Sequence, residues 1–220
     1  MVEHERIRTV NNNTKIYRTC QSGFSLIELI IAMALSVLIL GVGVATFSGA
    51  LNTRTRQTSE TDAITSAQAA LNIMSREIGN SGYGLNTNGL VLADCDGKHL
   101  HFRANTTNAG GSAATDSAGE DVMFYYDSVS QSVVRYDKVA GTSGVINRVS
   151  NVDFIYYNYT FNTVTGQVDV VAGSPALNTA RVNIKLTVLL ADVTGQPSNR
   201  TITLSSDVTL RNSPFMLGQY

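Results

Sequence analysis

The 220 residues contain 16 Lys and Arg against 17 Asp and Glu, which leaves a formal net charge of −1. This balance argues against a general nucleic-acid-binding domain, because such domains carry a clear excess of positive charge. The length is that of one membrane segment followed by one domain of ordinary size.

An apolar segment extends from Phe24 to Phe47 and carries a single charged residue, Glu28. It is long enough to cross a hydrocarbon core of about 30 Å as a helix. A charge within such a span costs about 2.5–3.5 kcal/mol on insertion scales, so Glu28 is a candidate functional residue. The residues before the segment contain Arg6, Arg8, Lys15 and Arg18 against Glu3 and Glu5, which predicts a cytoplasmic N-terminus and an external C-terminal part.

Helical periodicity continues beyond the apolar segment. Apolar residues recur there at three- and four-residue steps, at Ala63, Ile64, Ala67, Ala70, Leu71, Met74 and Ile78. Gly79, Gly82 and Gly84 then predict the end of the helix. We therefore expect one helix from near Phe24 to about Gly79, with an apolar first part and an amphipathic second part.

The rest of the chain contains short segments rich in Val, Ile, Thr, Tyr and Phe, which are typical of β-strands. Leu90–Ala93 and Lys98–Arg103 flank the turn residues 94–97 and predict a hairpin. Further strands are expected at Val122–Tyr126, Ser132–Tyr136, Val145–Val149 running into Val152–Phe161, Arg181–Leu190 and Thr201–Leu210. Strands in series after one helix predict an α+β fold, in which an antiparallel sheet packs on the amphipathic part of the helix.

Between these strands, Asn105–Gly119 is rich in Gly, Ala, Ser, Thr and Asn and predicts an exposed, mobile loop. It contains no Lys or Arg, which argues against DNA binding by this loop.

No catalytic constellation is recognisable, so we expect a protein that is not an enzyme and that uses no cofactor. His99 and His101 would share one face of a strand, but two histidines without a third ligand favour exposed side chains over a metal site. Asp94 and Asp96 resemble the start of a calcium loop and are the weak metal candidates, although no Glu follows at the distance an EF-hand needs. Turn formation is the simpler explanation for both.

Two cysteines are present, and Cys20 precedes the apolar segment. If the chain is cut after Gly23, Cys95 alone remains and no disulfide can form within the mature protein. We expect Cys95 to be a small, partly buried residue.

The start of the apolar segment, Gly23-Phe24-Ser25-Leu26-Ile27-Glu28, resembles the processing site of type IV prepilins and of type II secretion pseudopilins. The resemblance implies cleavage by prepilin peptidase between Gly23 and Phe24 and N-methylation of Phe24. It also implies that Glu28 pairs with the N-terminal amine of a neighbouring subunit. The alternative is an ordinary signal anchor or a cleaved secretory signal, for which small residues from Ala45 onward could supply a site.

The resemblance implies a ladle-shaped pilin and a division of the chain into four parts. These are a cleaved leader at 1–23, a transmembrane and filament-core helix at 24–47, an amphipathic helix and its end at 48–84, and a β-rich head at 85–220. The implied partners are other major and minor pilins through the N-terminal helix, the prepilin peptidase and methyltransferase, the inner-membrane assembly platform and the lipid bilayer, with no nucleic acid. The implied location is the bacterial inner membrane, followed by a pilus or pseudopilus.

Three shorter motifs resemble PilW-like minor pilins and J-type pseudopilins. They are Met74–Ile78 with Gly82-Tyr83-Gly84, Asn151–Tyr157, and the C-terminal Val208–Asn212. The favoured function is that of a minor pilin in the priming or tip complex of a type IV pilus. A J-type pseudopilin of a type II secretion system is the first alternative, and a competence or surface-binding pilin is the second. A major pilin is less favoured, because the mature chain lacks a cysteine pair.

Overall fold

The computed structural model describes residues 23–107, 114–192 and 197–218. The predicted leader, including Cys20, lies outside these residues apart from Gly23. The chain divides into two compact units, one ending at Gly49 and one beginning at Ala50. The division lies close to the predicted boundary between an apolar segment and the part that follows it.

A single long helix, α1, extends from Leu26 to Ile78 and crosses the boundary between the two units. The predicted helix limits are therefore confirmed. In the second unit one side of the helix is buried. The buried residues of this side are Ala67, Ala70, Leu71, Met74 and Ile78. These are residues of the predicted apolar stripe, because three- and four-residue steps return to the same side of a helix.

In the described part of the chain, eight strands and a short helix follow α1. The strands are β1 (His99–Arg103), β2 (Asp121–Asp127), β3 (Ser132–Asp137), β4 (Gly141–Asn147), β5 (Val149–Asn162), β6 (Gln167–Gly173), β7 (Thr179–Leu189) and β8 (Thr201–Thr209), and the short helix is α2 (Pro214–Leu217). They form two antiparallel four-stranded sheets, with strand orders β1-β2-β3-β4 and β6-β5-β7-β8. The predicted α+β layout of a helix on antiparallel strands is confirmed.

The amphipathic part of α1 and both sheets share one hydrophobic core. Met74 and Ile78 lie in it with Phe102 and Phe124 of the first sheet and Ile184 of the second, all nearly inaccessible to solvent. Polar contacts fix the helix to each sheet at the same level. Glu77 accepts a hydrogen bond from Nε of Arg135 on β3 at 2.8 Å, and the hydroxyls of Ser75 and Ser206 on β8 are 3.0 Å apart.

The sequence predicts one continuous strand from Val145 into Phe161, whereas the structure divides it at Arg148. Arg148 has a φ of 59°, which lies in the left-handed region that few residues other than glycine adopt. The chain turns there, so that β4 completes the first sheet and β5 becomes an inner strand of the second. The described residues therefore form two sheets, whereas the sequence predicts one.

The predicted strand at Leu90–Ala93 is wrong. Leu90 makes only an isolated bridge to Phe102, and Leu92–Asp94 form a turn of 3₁₀-helix. The backbone leaves the edge of β1 after Val91, whose N–H still donates to the carbonyl of His101 at 2.9 Å. The edge of β1 is thus covered by one residue pair and a turn, instead of a full strand.

The segment that follows α1 is joined to the second sheet by a buried asparagine, Asn88. The side chain of Asn88 is inaccessible to solvent and donates to the carbonyls of Ala176 and Thr179 at 2.8 and 3.0 Å.

Gly82, which follows the helix, has a φ of 78°, and a Cβ there would lie 2.6 Å from the carbonyl oxygen of Thr87. The glycine predicted to end the helix is therefore required by its conformation and by close backbone packing.

The ends of the predicted loop Asn105–Gly119 are anchored, while residues 108–113 lie outside the described residues. Asn105 is buried, in contrast to the predicted exposure. Glu120 is also buried, and its carboxylate accepts hydrogen bonds from the backbone N–H groups of Thr106 and Thr107 at 2.8 Å and of Ser117 at 3.1 Å. Burial alone raises the pKa of this carboxyl, but the hydrogen bonds, led by those from Thr107, outweigh burial and lower the pKa from its ordinary 4.5 to about 2.

The lowered pKa of Glu120 predicts a loss of stability in acid. A carboxyl whose pKa is lower in the folded state stabilises that state above pH 4.5, and this stabilisation disappears as the pH falls to about 2. Glu120→Gln should therefore unfold at a lower urea concentration than the unmodified chain near neutral pH, and the difference should shrink from pH 4.5 to 2. Tyrosine fluorescence of the detergent-solubilised chain would follow unfolding, since the chain has no Trp.

Asp116→Asn is the matched control for this charge change, because Asp116 is exposed. Its urea midpoint should follow that of the unmodified chain at every pH. A difference between Glu120→Gln and the unmodified chain that stays constant down to pH 2 would contradict the role given to the Glu120 carboxylate.

Candidate functional site

The first turn of α1 is capped by the serine that precedes it. The hydroxyl of Ser25 accepts a hydrogen bond from the backbone N–H of Glu28 at 3.2 Å, and its carbonyl accepts one from the N–H of Leu29 at 3.1 Å. Serine at the N-cap with glutamate three residues later is a common start of a helix. The cap explains why the helix begins at Leu26 and leaves the two preceding residues outside it.

The peptide bond between Gly23 and Phe24 is accessible in the unit to which it belongs. Both residues are exposed and neither is part of the helix, and the Phe24 side chain is 82 % exposed. A Cβ added to Gly23 would meet no atom within 4 Å. A protease could therefore reach this bond without unfolding any part of the helix.

Glu28 lies in the first turn of α1 and is exposed. Its carboxylate is near the positive end of the helix dipole, which favours a negative charge at this position. Within the described residues Glu28 has no ion-pair partner. It is therefore a single carboxylate on an otherwise apolar surface, available to a cation from outside the chain.

From Leu26 to Phe47, the surface of α1 is apolar and exposed. Fourteen large side chains of this stretch are over 50 % exposed, among them Leu26, Ile27, Met33, Leu38 and Phe47. The hydroxyls of Ser36 and Thr46 bond to their own helix, Ser36 to the carbonyl of Ala32 at 2.7 Å and Thr46 to that of Gly43 at 2.9 Å. Such internal pairing lets a hydroxyl enter an apolar environment without an unpaired polar group.

By length and composition, α1 is the one helix in the described part of the chain that could cross a membrane. Its most apolar 18-residue window has a mean hydropathy of 2.6, and none of that window is buried by the rest of the protein. The first unit therefore provides a single N-terminal helix suited to membrane anchoring.

The candidate metal ligands Asp94 and Asp96 each contact a histidine. The two rings lie on one face of β1, as predicted, with Nδ1 of His99 at 3.0 Å from Asp96 and Nδ1 of His101 at 2.8 Å from Asp94. Nε2 of His101 lies 2.5 Å from the buried carboxylate of Asp121. No group of three or more His, Cys, Asp or Glu side chains in the described ranges is arranged to hold a metal ion.

Asp121 of β2 is a further member of this cluster. Its carboxylate also accepts a hydrogen bond from Nε of Arg103 at 3.0 Å, so it joins two residues of β1 to β2. The alternation along β1 places His99, His101 and Arg103 on one side, and that signal was visible in the sequence. The partner from β2 depends on the register Arg103 to Asp121, which the sequence does not reveal.

Cys95 is a small buried residue, which confirms the prediction made for it. It is 8 % exposed, and its sulfur lies 3.2 Å from the carbonyl oxygen and 3.3 Å from the backbone nitrogen of His101. Burial raises the pKa of the thiol. The sulfur thus holds the turn before β1 against the strand itself.

Comparison with known proteins gives a match at the N-terminal end of the chain. A family model described as "Prokaryotic N-terminal methylation motif" matches residues 18–44, which include Gly23, Phe24, Glu28 and most of the apolar segment. No curated protein and no solved structure matches the chain. The part of the chain that matches is the part whose helix is capped at Ser25, exposed and apolar.

Proposed function

We propose that the chain is a minor pilin, because the N-terminal match supports a type IV pilin-like protein that is processed by prepilin peptidase. It would take part in assembly of a type IV pilus, in the priming or tip complex. The observation that carries this proposal is the exposed Gly23–Phe24 bond directly before the capped, apolar first part of α1, in which Glu28 is the one carboxylate up to Phe47. Proteins of this kind are structural, and their activity is assembly.

Processing would begin in the membrane. The peptidase would cut between Gly23 and Phe24, and the methyltransferase would methylate the new amine of Phe24. The apolar surface of residues 24–47 would hold the chain in the bilayer, with the N-terminus cytoplasmic and the β-rich part outside, as the basic leader suggests. The assembly platform of the inner membrane would then transfer the subunit into the filament.

Glu28 would set the position of each subunit in the filament. Apolar helix surfaces are equally satisfied by lipid and by each other, so their burial alone selects no particular axial offset between subunits. A carboxylate in a low-dielectric environment is costly unless it is paired and hydrogen-bonded. The methylated amine of a neighbouring subunit would supply that pairing at one offset only, which makes Glu28 a determinant of register.

The partners follow from this mechanism. They are other major and minor pilins through the N-terminal helix, the prepilin peptidase and methyltransferase, the assembly platform and the lipid bilayer. No nucleic acid is included, because the described part of the chain contains no basic loop comparable with a nucleic-acid-binding surface.

A J-type pseudopilin of a type II secretion system is a second candidate, because the motif at the end of α1 resembles J-type pseudopilins as well as PilW-like minor pilins. Met74 and Ile78 of that motif are buried, and Gly82 and Gly84 have φ values of 78° and 66°. This structural role suits both subfamilies. Complementation separates them, because a minor pilin restores surface pili in its deletion strain whereas a pseudopilin restores export of secreted enzymes.

The processed protein is expected to begin at Phe24, with a methylated amine. Intact-mass measurement of the protein purified from membranes or filaments would decide this, since the peptidase removes residues 1–23 as one piece. A strain without prepilin peptidase serves as the control and should yield the full-length chain. A mature start at or beyond Ala45 would instead identify an ordinary secretory signal and would overturn the proposal.

A further inference from the structure

β6 is an edge strand with an unused side. It lies at one end of the strand order β6-β5-β7-β8 and, within the described ranges, pairs with β5 alone. All of its residues, Gln167–Gly173, are exposed. The outer side of an edge strand presents unpaired N–H and C=O groups, which can hydrogen-bond to a further strand.

β6 also lacks the features that usually protect an edge. It contains no Pro, Lys or Arg, and Asp169 is its one charged residue. Its pairing with β5 is continuous from Tyr156↔Gly173 to Asn162↔Gln167, without a bulge. β4, at the edge of the first sheet, differs in this respect, because its register shifts opposite Val133 and Val134. β6 is therefore a regular strand that is open to pairing.

One face of the β5–β6 hairpin is apolar. Side chains alternate along a strand, so Val168, Val170 and Ala172 share a face with their partners Phe161, Tyr159 and Tyr157. Phe215 of α2 contacts Tyr159, with ring centroids 5.1 Å apart. Phe161 and Val170 stay 57 % and 43 % exposed. The apolar stripe thus reaches the free edge of the sheet, where Val168 and Val170 remain partly exposed.

We propose that β6 pairs with β6 of a second copy of this chain, antiparallel, about a twofold axis at Val170. All seven residues of the strand are then aligned, and the two four-stranded sheets become one sheet of eight strands. Val168 lies opposite Ala172 of the second copy, so the apolar stripe continues from one copy into the other. Such an interface is isologous, because the same patch serves both partners.

The position of the charge selects both the partner and the register. With the axis at Val170, each Asp169 lies opposite Val171 of the second copy, and no like charges meet. An axis at Asp169 would place the two carboxylates directly opposite each other, which destabilises a strand pair. An axis at Val171 would align only Asp169–Gly173 and leave Val168 unpaired. β6 is therefore self-complementary in one register.

The test is covalent trapping in membranes, since a seven-residue strand pair is a small interface. Two differently tagged full-length chains, one with Val168→Cys and one with Ala172→Cys, are produced together and mildly oxidised. Directly opposite residues have Cα atoms about 4.5–5.5 Å apart, within the range of a disulfide. We expect about tenfold more mixed dimer from this pair than from Val168→Cys alone, whose own copies would be about 13 Å apart.

Controls separate strand pairing from collision and from misfolding. Val129→Cys, 93 % exposed outside the hairpin, should give only the background seen without an added cysteine. Val170→Lys places two like charges on the axis and should abolish the link between positions 168 and 172, whereas Val129→Lys should preserve it. Equal yields from Val168→Cys alone and from the pair would overturn the proposal. So would persistence of the link in Val170→Lys, or a link to a protein of different mass.

This proposal goes beyond the proposed function and does not depend on it, because it rests on the second unit alone. Failure of the cross-link would leave processing at Gly23 untouched. A mature start beyond Ala45 would equally leave the edge of β6 as it is.

Discussion

Glu28→Val should leave the protein in the membrane but remove most or all of the pili that depend on it. The substitution eliminates a charge that costs about 2.5–3.5 kcal/mol at the centre of a bilayer, and less near its edge, so insertion should be equal or easier. The helix start should persist, since the cap uses the backbone N–H of Glu28 and not its carboxylate. What disappears is the group that we propose to pair with the amine of a neighbouring subunit and to fix the offset between subunits.

The measurement is complementation of a deletion strain, in which surface pili and the cellular level of the variant are scored together. Glu28→Asp keeps the carboxylate on a shorter side chain and should be partly active. Ser36→Ala is the matched control, because it removes a polar group of the same helix whose hydroxyl bonds only to Ala32. It should support normal piliation. Normal piliation by stably produced Glu28→Val would contradict the assembly mechanism while leaving the fold unaffected.

Gly23→Leu should block processing almost completely and leave the full-length precursor in the membrane. The structure makes this substitution a clean test, because a Cβ at Gly23 meets nothing within 4 Å and the residue lies outside the helix. A loss of processing therefore reports on the peptidase and not on the stability of the chain. Without cleavage no amine forms at Phe24, so Glu28 would lose its partner and pili should be lost as well.

The comparison for Gly23→Leu is Gly49→Leu, a second glycine whose Cβ would meet nothing within 4 Å. Immunoblots and intact masses should show normal cleavage in this control and the uncut chain in Gly23→Leu. If Gly23→Leu were processed at the wild-type rate, the cleavage site would lie elsewhere.

The features that depend on local sequence were predictable. The limits of α1 follow from a continuous apolar segment, a three- and four-residue repeat and a terminal run of glycines, all within 60 residues of one another. The same local sequence also indicates three features of the N-terminal part, namely the exposed bond at Gly23, the exposed Phe24 and the lone Glu28. The N-cap can also be read from the sequence, because Ser25 followed three residues later by Glu28 is a recognised helix start.

Features that depend on strand register were not predictable. β6 escaped detection because its alternation of polar and apolar residues is short, running from Gln167 to Val170 before Val171 interrupts it, and because none of its residues is buried. The division at Arg148 requires a left-handed conformation at a residue that rarely adopts one. The buried carboxylates of Glu120 and Asp121 find their partners through tertiary contacts. A charged residue in a Gly- and Ser-rich context gives no sign of such burial.

The contact between Ser75 and Ser206 has a consequence for synthesis of the protein. The two hydroxyls are separated by 131 positions, and β8, which carries Ser206, is the last strand among the described residues. At about 5–20 residues per second, a ribosome needs on the order of 10 s to make the intervening chain. During that interval the buried side of α1, with Met74 and Ile78, lacks its cover from the second sheet. The nascent chain therefore exposes this apolar stripe until β8 is made.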